Sequence, residues 1–586
     1  MAGSKAGGGW NYYTFVQLAE GAQMADVRAK FPQFVEQHDR LRRYRETYGP
    51  AVFDLLPLTR IHHSSTINYP LGTTSNPIYV LSGIAAVVLL IACVNFMTLS
   101  LGLASTRFKE VGVRKVMGAS RIHLAKRFWG DALLLSMLSL VLSIALVELI
   151  LPIFSGLVDR NLSLHYDSTW GVLFGLAVCV GLIGGSYPAL VMSGFHPVVV
   201  LKGAQRIGGE NIFSRTLVAF QFAASMILIV MTLMMSEQFE FMRTKDLGFN
   251  SDHVVMIDTQ GKTQLGRTDR ERLLALYRQA DEQYNDIVNV SMSSISLGDV
   301  PVWGMSNRLP DGGEIGYRTF VVDYDFFETM EMNLIEGRRF LRDSEADQEE
   351  SIVINESMRK ALGWTSEEGK VFPFGKRTVV GVVSDFHMRS LHHEMELAAF
   401  TLKRGNGYLR YIVVRIRPED IAGTLAILEE TWGQVVQDRP FVFSFLDDDI
   451  EHRYREDQRW ARIVGYAGIF AIFIACLGAF GLTSLAVARR TKEVGIRKVM
   501  GASTGHIVKL FSLAFVKLIL GACVIAFPVA YYILDRWLQE FAYRVDIGMG
   551  TFLLGGLLTL FVVLLTVGVQ AIKAALANPV DALRYE

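Results

Sequence analysis

Seven long apolar runs constrain this chain more than any other feature. They cover residues 77–103, 132–157, 169–195, 216–236, 463–488, 511–534 and 547–572. About 20 residues in a helix cross a hydrocarbon core about 30 Å thick. Every run is long enough, and in lipid a helix closes its own backbone hydrogen bonds. Five runs carry no charged residue, while 132–157 contains Glu148 and 511–534 contains Lys517. Both charges lie within a few turns of a run's end, so they read either as functional intramembrane groups or as side chains snorkelling to the interface. The predicted fold class is a polytopic α-helical membrane protein with an additional folded domain.

The basic residues give the runs a direction. Loop 104–131 holds Arg107, Lys109, Arg114, Lys115, Arg121, Lys126 and Arg127, and loop 489–510 holds Arg489, Arg490, Lys492, Arg497, Lys498 and Lys509. Loop 196–215 adds Lys202, Arg206 and Arg215, whereas 158–168 has only Arg160 and 535–546 only Arg536 and Arg544. The basic loops are therefore expected in the cytoplasm, together with the C-terminus. Residues 1–76 and 237–462 are expected outside. Lys+Arg and Asp+Glu are both 58, a balance that argues against nucleic acid as a partner.

An internal repeat organises the chain. Residues 107–120 read RFKEVGVRKVMGAS and residues 490–503 read RTKEVGIRKVMGAS, identical at 12 of 14 positions with an offset of 383. At the same offset Ile91-Ala92-Cys93 matches Ile474-Ala475-Cys476, and His123, Lys126 and Phe128 match His506, Lys509 and Phe511. Each copy is predicted to be a short amphipathic helix. Val113, Val116 and Met117, and likewise Ile496, Val499 and Met500, share one face. Gly118 and Gly501 can end the helix, and Ser120 and Ser503 can cap the next one. A basic anchor does not require near-identical side chains twice, so the repeat points to two docking surfaces for one kind of cytoplasmic partner, itself a dimer.

The spans partition accordingly: a first three-helix module at 77–212, an opening helix at 213–236, a polar block at 237–459 and a second module at 460–586. Alternating and helical patterns in the polar block predict an α/β or α+β domain. Strands are expected at 253–258, 318–323, 351–354, 377–383 and 410–417. Helices are expected at 270–286, 355–362 and 419–436, and a charged helix at 447–459 leads into the fifth span. No catalytic constellation stands out. Asp385, His387, His392 and His393 invite a metal reading, but their context, VVSDFHMRSLHHE, reads as a strand leaving into a loop. Cys93, Cys179, Cys476 and Cys523 all lie in apolar runs and read as small buried hydrophobes.

The repeated phrases KEVGVRKVMGAS and KEVGIRKVMGAS, with SRTLVAFQFAAS at 214–225, GRRF at 337–340, IVINESMRKALGW at 352–364 and VVGVVSDFH at 379–387, resemble the FtsX-like permeases of the MacB type. The resemblance implies a membrane subunit of an ABC transporter with a MacB-like periplasmic core domain in the bacterial inner membrane. It implies mechanotransmission, in which ATP hydrolysis by a separate nucleotide-binding subunit moves the periplasmic domain. Carried over, Glu110, Gly112, Arg114, Lys115 and Gly118, and Glu493, Gly495, Arg497, Lys498 and Gly501, form or support the two ATPase-coupling helices. No GxxxxGK[ST] phosphate loop occurs, so no cofactor is expected in this chain and ATP is expected on the partner ATPase. Membrane lipid, a periplasmic adaptor and an outer-membrane channel complete the implied partners. Two functions fit: export of a peptide, drug or lipid-linked substrate, or ATP-driven regulation of an envelope enzyme or sensor. The resemblance also implies eight spans. Residues 1–76 then read as the end of a first periplasmic domain, and a truncated N-terminus is expected.

Overall fold

The computed structural model describes residues 15–38, 55–58, 77–106, 108–158, 162–164, 166–194, 212–259, 265–297, 305–308, 314–342, 344–364, 371–374, 377–388, 390–402 and 409–576. The chain divides into two compact units, Met1–Ser82 and Gly83–Glu586. In the first, two short helices, α1 (Met24–Arg28) and α2 (Phe31–Gln37), are described, and Arg28 Nη2 donates to the Leu55 carbonyl at 2.7 Å. Most of 1–76, including the segment expected to end a first outer domain, lies outside the described residues, as do most of loop 196–215 and the last ten residues.

Among the described residues, seven helices are long and apolar enough to cross a membrane. They are α3 (Pro77–Thr106), α5 (Arg121–Val158), α6 (Tyr166–Gly194), α7 (Ile212–Thr244), α13 (Leu446–Arg489), α15 (Thr504–Leu538) and α16 (Met549–Leu576). Two short helices, α4 (Phe108–Val116) and α14 (Thr491–Val499), follow α3 and α13. All seven predicted runs fall on these helices, several of which extend beyond the apolar stretch.

Without a hydrophobic drive inside lipid, helices associate by close packing and interhelical hydrogen bonds. Small residues make that approach possible here. A Cβ at Gly184 would overlap the Phe96 ring, and one at Gly185 would press on Ala132. Ser136 Oγ donates to the Ala177 carbonyl at 2.6 Å, tying α5 to α6. In the second module α15 buries one face at helical spacing (Ile507, Phe511, Phe515, Ile519, Ala522, Ala526, Ala530, Leu534 and Leu538) against α7 and α16.

Between α7 and α13 the chain forms a mixed α/β domain. One sheet has four antiparallel strands in the order β10-β1-β9-β2: Phe443–Phe445, Val254–Asp258, Tyr411–Ile416 and Ile287–Ser293. The other has six, ordered β3-β4-β8-β6-β7-β5: Met305–Arg308, Glu314–Val321, Ala398–Thr401, Ser351–Asn355, Thr378–Val383 and Leu334–Gly337. In it β4 pairs parallel with β8 and β6 with β7, while the remaining pairs are antiparallel. The first sheet is covered by α8 (Arg267–Gln283) and α12 (Ile421–Val435), whose Leu273, Tyr277, Leu428 and Trp432 meet Val255, Ile257, Ile412 and Val414 in one core. Three shorter helices, α9 (Phe326–Thr329), α10 (Glu345–Glu349) and α11 (Glu356–Ala361), complete the domain. The expected charged helix is the start of α13. Its Leu446 is buried in the domain core, and the same 44-residue helix, about 66 Å long at 1.5 Å per residue, continues through the membrane span.

Candidate coupling surfaces

The two repeated loops fold alike. In α4 the chain ends its helix at Val116, and Gly118 takes φ +95°; in α14 the helix ends at Val499, and Gly501 takes φ +90°. The closing hydrogen bonds match. Gly118 N–H donates to Lys115 O at 3.2 Å and Ala119 N–H to Arg114 O at 3.0 Å; Gly501 N–H donates to Lys498 O at 3.0 Å and Ala502 N–H to Arg497 O at 2.9 Å. This is the Schellman arrangement, in which a left-handed residue turns the chain back over its last carbonyls and glycine carries no Cβ penalty. The next helix then starts on a serine: Ser120 Oγ accepts from His123 N–H and Ser503 Oγ from His506 N–H, each at 3.3 Å.

Each helix has an inward and an outward side. Val111 is buried against Leu124 with Ala119 and Phe128 packed beside it, and the equivalent Val494 is buried in one core with Ile507 and Phe511. Outward, Val113, Val116 and Met117 are 54%, 61% and 84% exposed, and Ile496, Val499 and Met500 are 50%, 66% and 82% exposed. The matching numbers decide that the same apolar stripe is presented twice, away from the bundle that anchors it. Charges flank it. Arg497 pairs with Glu493 at 2.7 Å one turn away. Burial first, and then the charge of Arg121, push the Lys115 ammonium below its usual range. Glu110 lies within α4 and Gly112 beside Val111, but the side chain of Glu110 is outside the described residues.

The residues considered for metal binding have other occupations. Asp385 caps α11: Oδ1 accepts from Ser357 N–H and Asn355 Nδ2, and Oδ2 accepts from the Ser357 hydroxyl. His392 stacks on Phe541 with ring centres 4.3 Å apart and lies 2.6 Å from Ser390 Oγ, while His387 meets Tyr543 edge-on. Desolvation, then the nearby His393, lowers the His392 imidazole to about 4, so it is neutral at ordinary pH.

The profile of the family described as FtsX-like permease C-terminal matches this chain twice, at residues 82–197 and 465–579. The chain carries two FtsX-like permease modules and is similar to permeases of the MacB type. Both repeated helices, α4 and α14, lie inside the matched segments. Among similar curated proteins is the macrolide export ATP-binding/permease protein MacB of Bdellovibrio bacteriovorus, 30% identical over 32% of this chain and 27% of that protein. The MacB of Chromobacterium violaceum is 24% identical over 45% of this chain and 43% of its own length. The pyoverdine export ATP-binding/permease protein PvdT of Pseudomonas putida is 26% identical over 32% and 27%. The chain thus spans less than half the length of these relatives. Among solved structures, the periplasmic region of MacB from Actinobacillus actinomycetemcomitans aligns over 36% of this chain and 96% of that one, at 17% identity and a TM-score of 0.25.

The repeat singles out the exposed residues of α4 and α14 in the sequence, because the two copies are nearly identical. It passed over the buried anchors Val111 and Val494, although their place three residues before an arginine in both copies was a usable signal. It also passed over polar side chains inside the helix bundle. Gln221 Nε2 donates to the Ile474 carbonyl at 3.1 Å and Ser225 Oγ to the Ala471 carbonyl at 3.2 Å, fixing α7 on α13.

Proposed function

We propose that this chain is the membrane permease part of an ABC exporter in the bacterial inner membrane. ATP is hydrolysed on nucleotide-binding subunits outside these 586 residues. Their closure pushes on α4 and α14, the spans carry the displacement across, and the domain between α7 and α13 moves in the periplasm. The basic loops, and with them the docking helices, face the cytoplasm. The cargo class is a peptide, a drug or a lipid-linked molecule, in keeping with the macrolide and pyoverdine export named for the relatives.

One observation carries this reading: the same exposed apolar tip, held by the same glycine turn and the same buried valine, occurs once on each module. Isolated exposed apolar residues need no explanation, but a duplicated stripe rimmed by charge fits a protein partner presenting the same pocket twice. Glu110→Lys with Glu493→Lys reverses one charge at each site. Co-purification with the nucleotide-binding subunit and ATP turnover in membranes are both expected to fall at least tenfold. Unchanged binding together with unchanged turnover rejects the docking role.

A further inference from the structure

The loop joining α15 to α16 touches the extramembrane domain through its backbone as well as its side chains. Ala542 N–H donates to the His392 carbonyl and Tyr543 N–H to the Leu391 carbonyl, each at 3.3 Å. These bonds pair the loop with the domain segment 390–393 in the manner of a short ladder. Phe541 stacks under His392, and His387 stands edge-on to Tyr543 at 4.7 Å. Tyr454 on α13 accepts from Leu391 N–H at 3.2 Å through its hydroxyl. Leu391, Tyr454, Phe541 and Met242 are buried together as one small core.

Gln238 on α7 fixes this contact. It is fully buried. Its Nε2 donates to the Tyr543 carbonyl and its Oε1 accepts from Val545 N–H, both at 2.9 Å. A buried amide is costly unless both ends are satisfied. Here both ends are used on the backbone of one loop, so the glutamine holds the loop's conformation regardless of its side chains. Lys245, one helical turn beyond the buried Met242, lies 4.6 Å from the centre of the Tyr543 ring and adds a cation–π contact.

The loop is also the far end of a long helix. α15 runs from its cap on Ser503, beside α14, to Leu538, 35 residues or about 52 Å, with Pro528 inside it. The stalk helices α7 and α13 enter the domain at its two chain ends. α15 reaches it elsewhere, at 390–393, and reaches it directly from the coupling turn.

We propose that the 541–545 loop, clasped by Gln238, is a second mechanical joint, through which displacement of α14 passes along α15 into the extramembrane domain in addition to the path along the two stalk helices. Gln238 is a positioning residue in this scheme, and the clasp stays closed throughout the ATP cycle. The transmission role rests on the coupling function proposed above; the clasp itself does not.

Two measurements on the full chain separate the two. Gln238→Met keeps the side-chain volume and removes both amide bonds. Hydrogen exchange at Leu391, Ala542 and Tyr543 is expected to quicken together by roughly 30-fold, the loss of two hydrogen bonds, with β1 and β9 unchanged. Phe541→Leu, which removes the stack on His392 and trims the small core but leaves both Gln238 bonds, is expected to give a smaller rise at the same three amides. Spin labels at Glu430→Cys on α12 and Ile153→Cys on α5, with the four native cysteines replaced, then report ATP-driven movement in the presence of the nucleotide-binding subunit. Gln238→Met is expected to lose at least half of the distance change. Exchange that quickens at the loop but not at Leu391 overturns the clasp. Quickened exchange with a full distance change overturns transmission through it. A wild-type chain with no ATP-driven change overturns the coupling function, and the transmission role with it, while the exchange result still judges the clasp.

Discussion

Replacing Met117 and Met500 by alanine isolates the docking surfaces from the fold. Both side chains are more than four-fifths exposed, so truncating them should change the stability of the free chain by no more than about 0.5 kcal/mol. In a docked complex each would be buried. Full burial of a methionine side chain is worth about 1.5–3 kcal/mol, and alanine retains only its methyl group, so each substitution should cost roughly 2 kcal/mol. At 1.4 kcal/mol per tenfold, that is about 30-fold in Kd for one site. The two sites share no partners, so the double variant should approach 1,000-fold. The assay is titration of the full chain in detergent or nanodiscs with the nucleotide-binding subunit, alongside thermal melts of the free chain. Met117→Leu with Met500→Leu should bind nearly as well as the parent, because volume and apolarity are kept. Melting midpoints unchanged but affinity lowered less than threefold in the double alanine variant would refute the assignment of these tips as a docking surface.

Gly118→Ala and Gly501→Ala meet no heavy atom within 4 Å of the new Cβ, so their cost is the left-handed backbone alone, about 1–2 kcal/mol each; faster hydrogen exchange at Ala119 and Ala502 measures it, and asparagine should cost less than alanine. Asp347 is desolvated, yet the Arg338 guanidinium, Leu341 N–H and Ser351 hydroxyl outweigh that and hold its carboxyl at about 2, below its ordinary 3.8. Its contribution is therefore complete above about pH 4 and lost as pH falls toward 2, and Asp347→Asn should flatten the acid limb of a Trp fluorescence melt. Asp323 behaves oppositely: desolvation raises it to about 7 despite Arg278, so stability is greatest below its ordinary 3.8 and falls as pH rises through 7. Asp323→Asn should narrow the difference between melts at pH 5 and pH 8. Gly184→Val should lower the yield of folded protein because the new side chain overlaps the Phe96 ring, and adding Phe96→Ala should restore it.

What could be read from the sequence depended on whether a residue's role was periodic or pairwise. The seven spans and the strands over Val254–Asp258, Ser351–Asn355, Thr378–Val383 and Tyr411–Ile416 were legible because burial on one or both faces writes itself as apolar runs. The strands Leu334–Gly337, Ala398–Thr401 and Phe443–Phe445 were missed. They have three or four residues each, too few to show alternation, and are held by their neighbours in the sheet. Ile287–Ser293 was missed for another reason: VNVSMS mixes small polar residues into a strand whose Ser291 and Ser293 are fully buried. The exposed tips of α4 and α14 were legible through duplication alone. The clasp had no such copy to expose it, and Gln238, one of the polar residues Ser236, Glu237, Gln238 and Glu240 that follow an apolar run, is indistinguishable in sequence from an interfacial one.

Duplication also hides where the two halves differ. At the offset of 383, Asn95 on α3 is the counterpart of Gly478 on α13, and these two positions meet: a Cβ on Gly478 would lie 3.0 Å from Asn95 Oδ1 and 3.1 Å from the Gln221 amide. Equivalent points of two equivalent helices touch across the seam between modules, and there one copy carries an amide where the other carries no side chain. Two asparagines would not fit, and two glycines would leave a gap. Ile91, Ala224, Leu228 and Ala471 close the seam one turn away, and Leu99 fills the space left by Gly481. The repeated helices present like faces, while the seam positions differ because each side must complement the other. A polar pair in an otherwise apolar interface fixes register at some cost in stability. Here the cost is visible, since Asn95 Oδ1 and Gln221 Oε1 are buried without a hydrogen-bond partner. The two modules are thus copies in fold but not interchangeable, and exchanging Asn95 and Gly478 between them is not a neutral swap, because a side chain at 478 would meet the Gln221 amide.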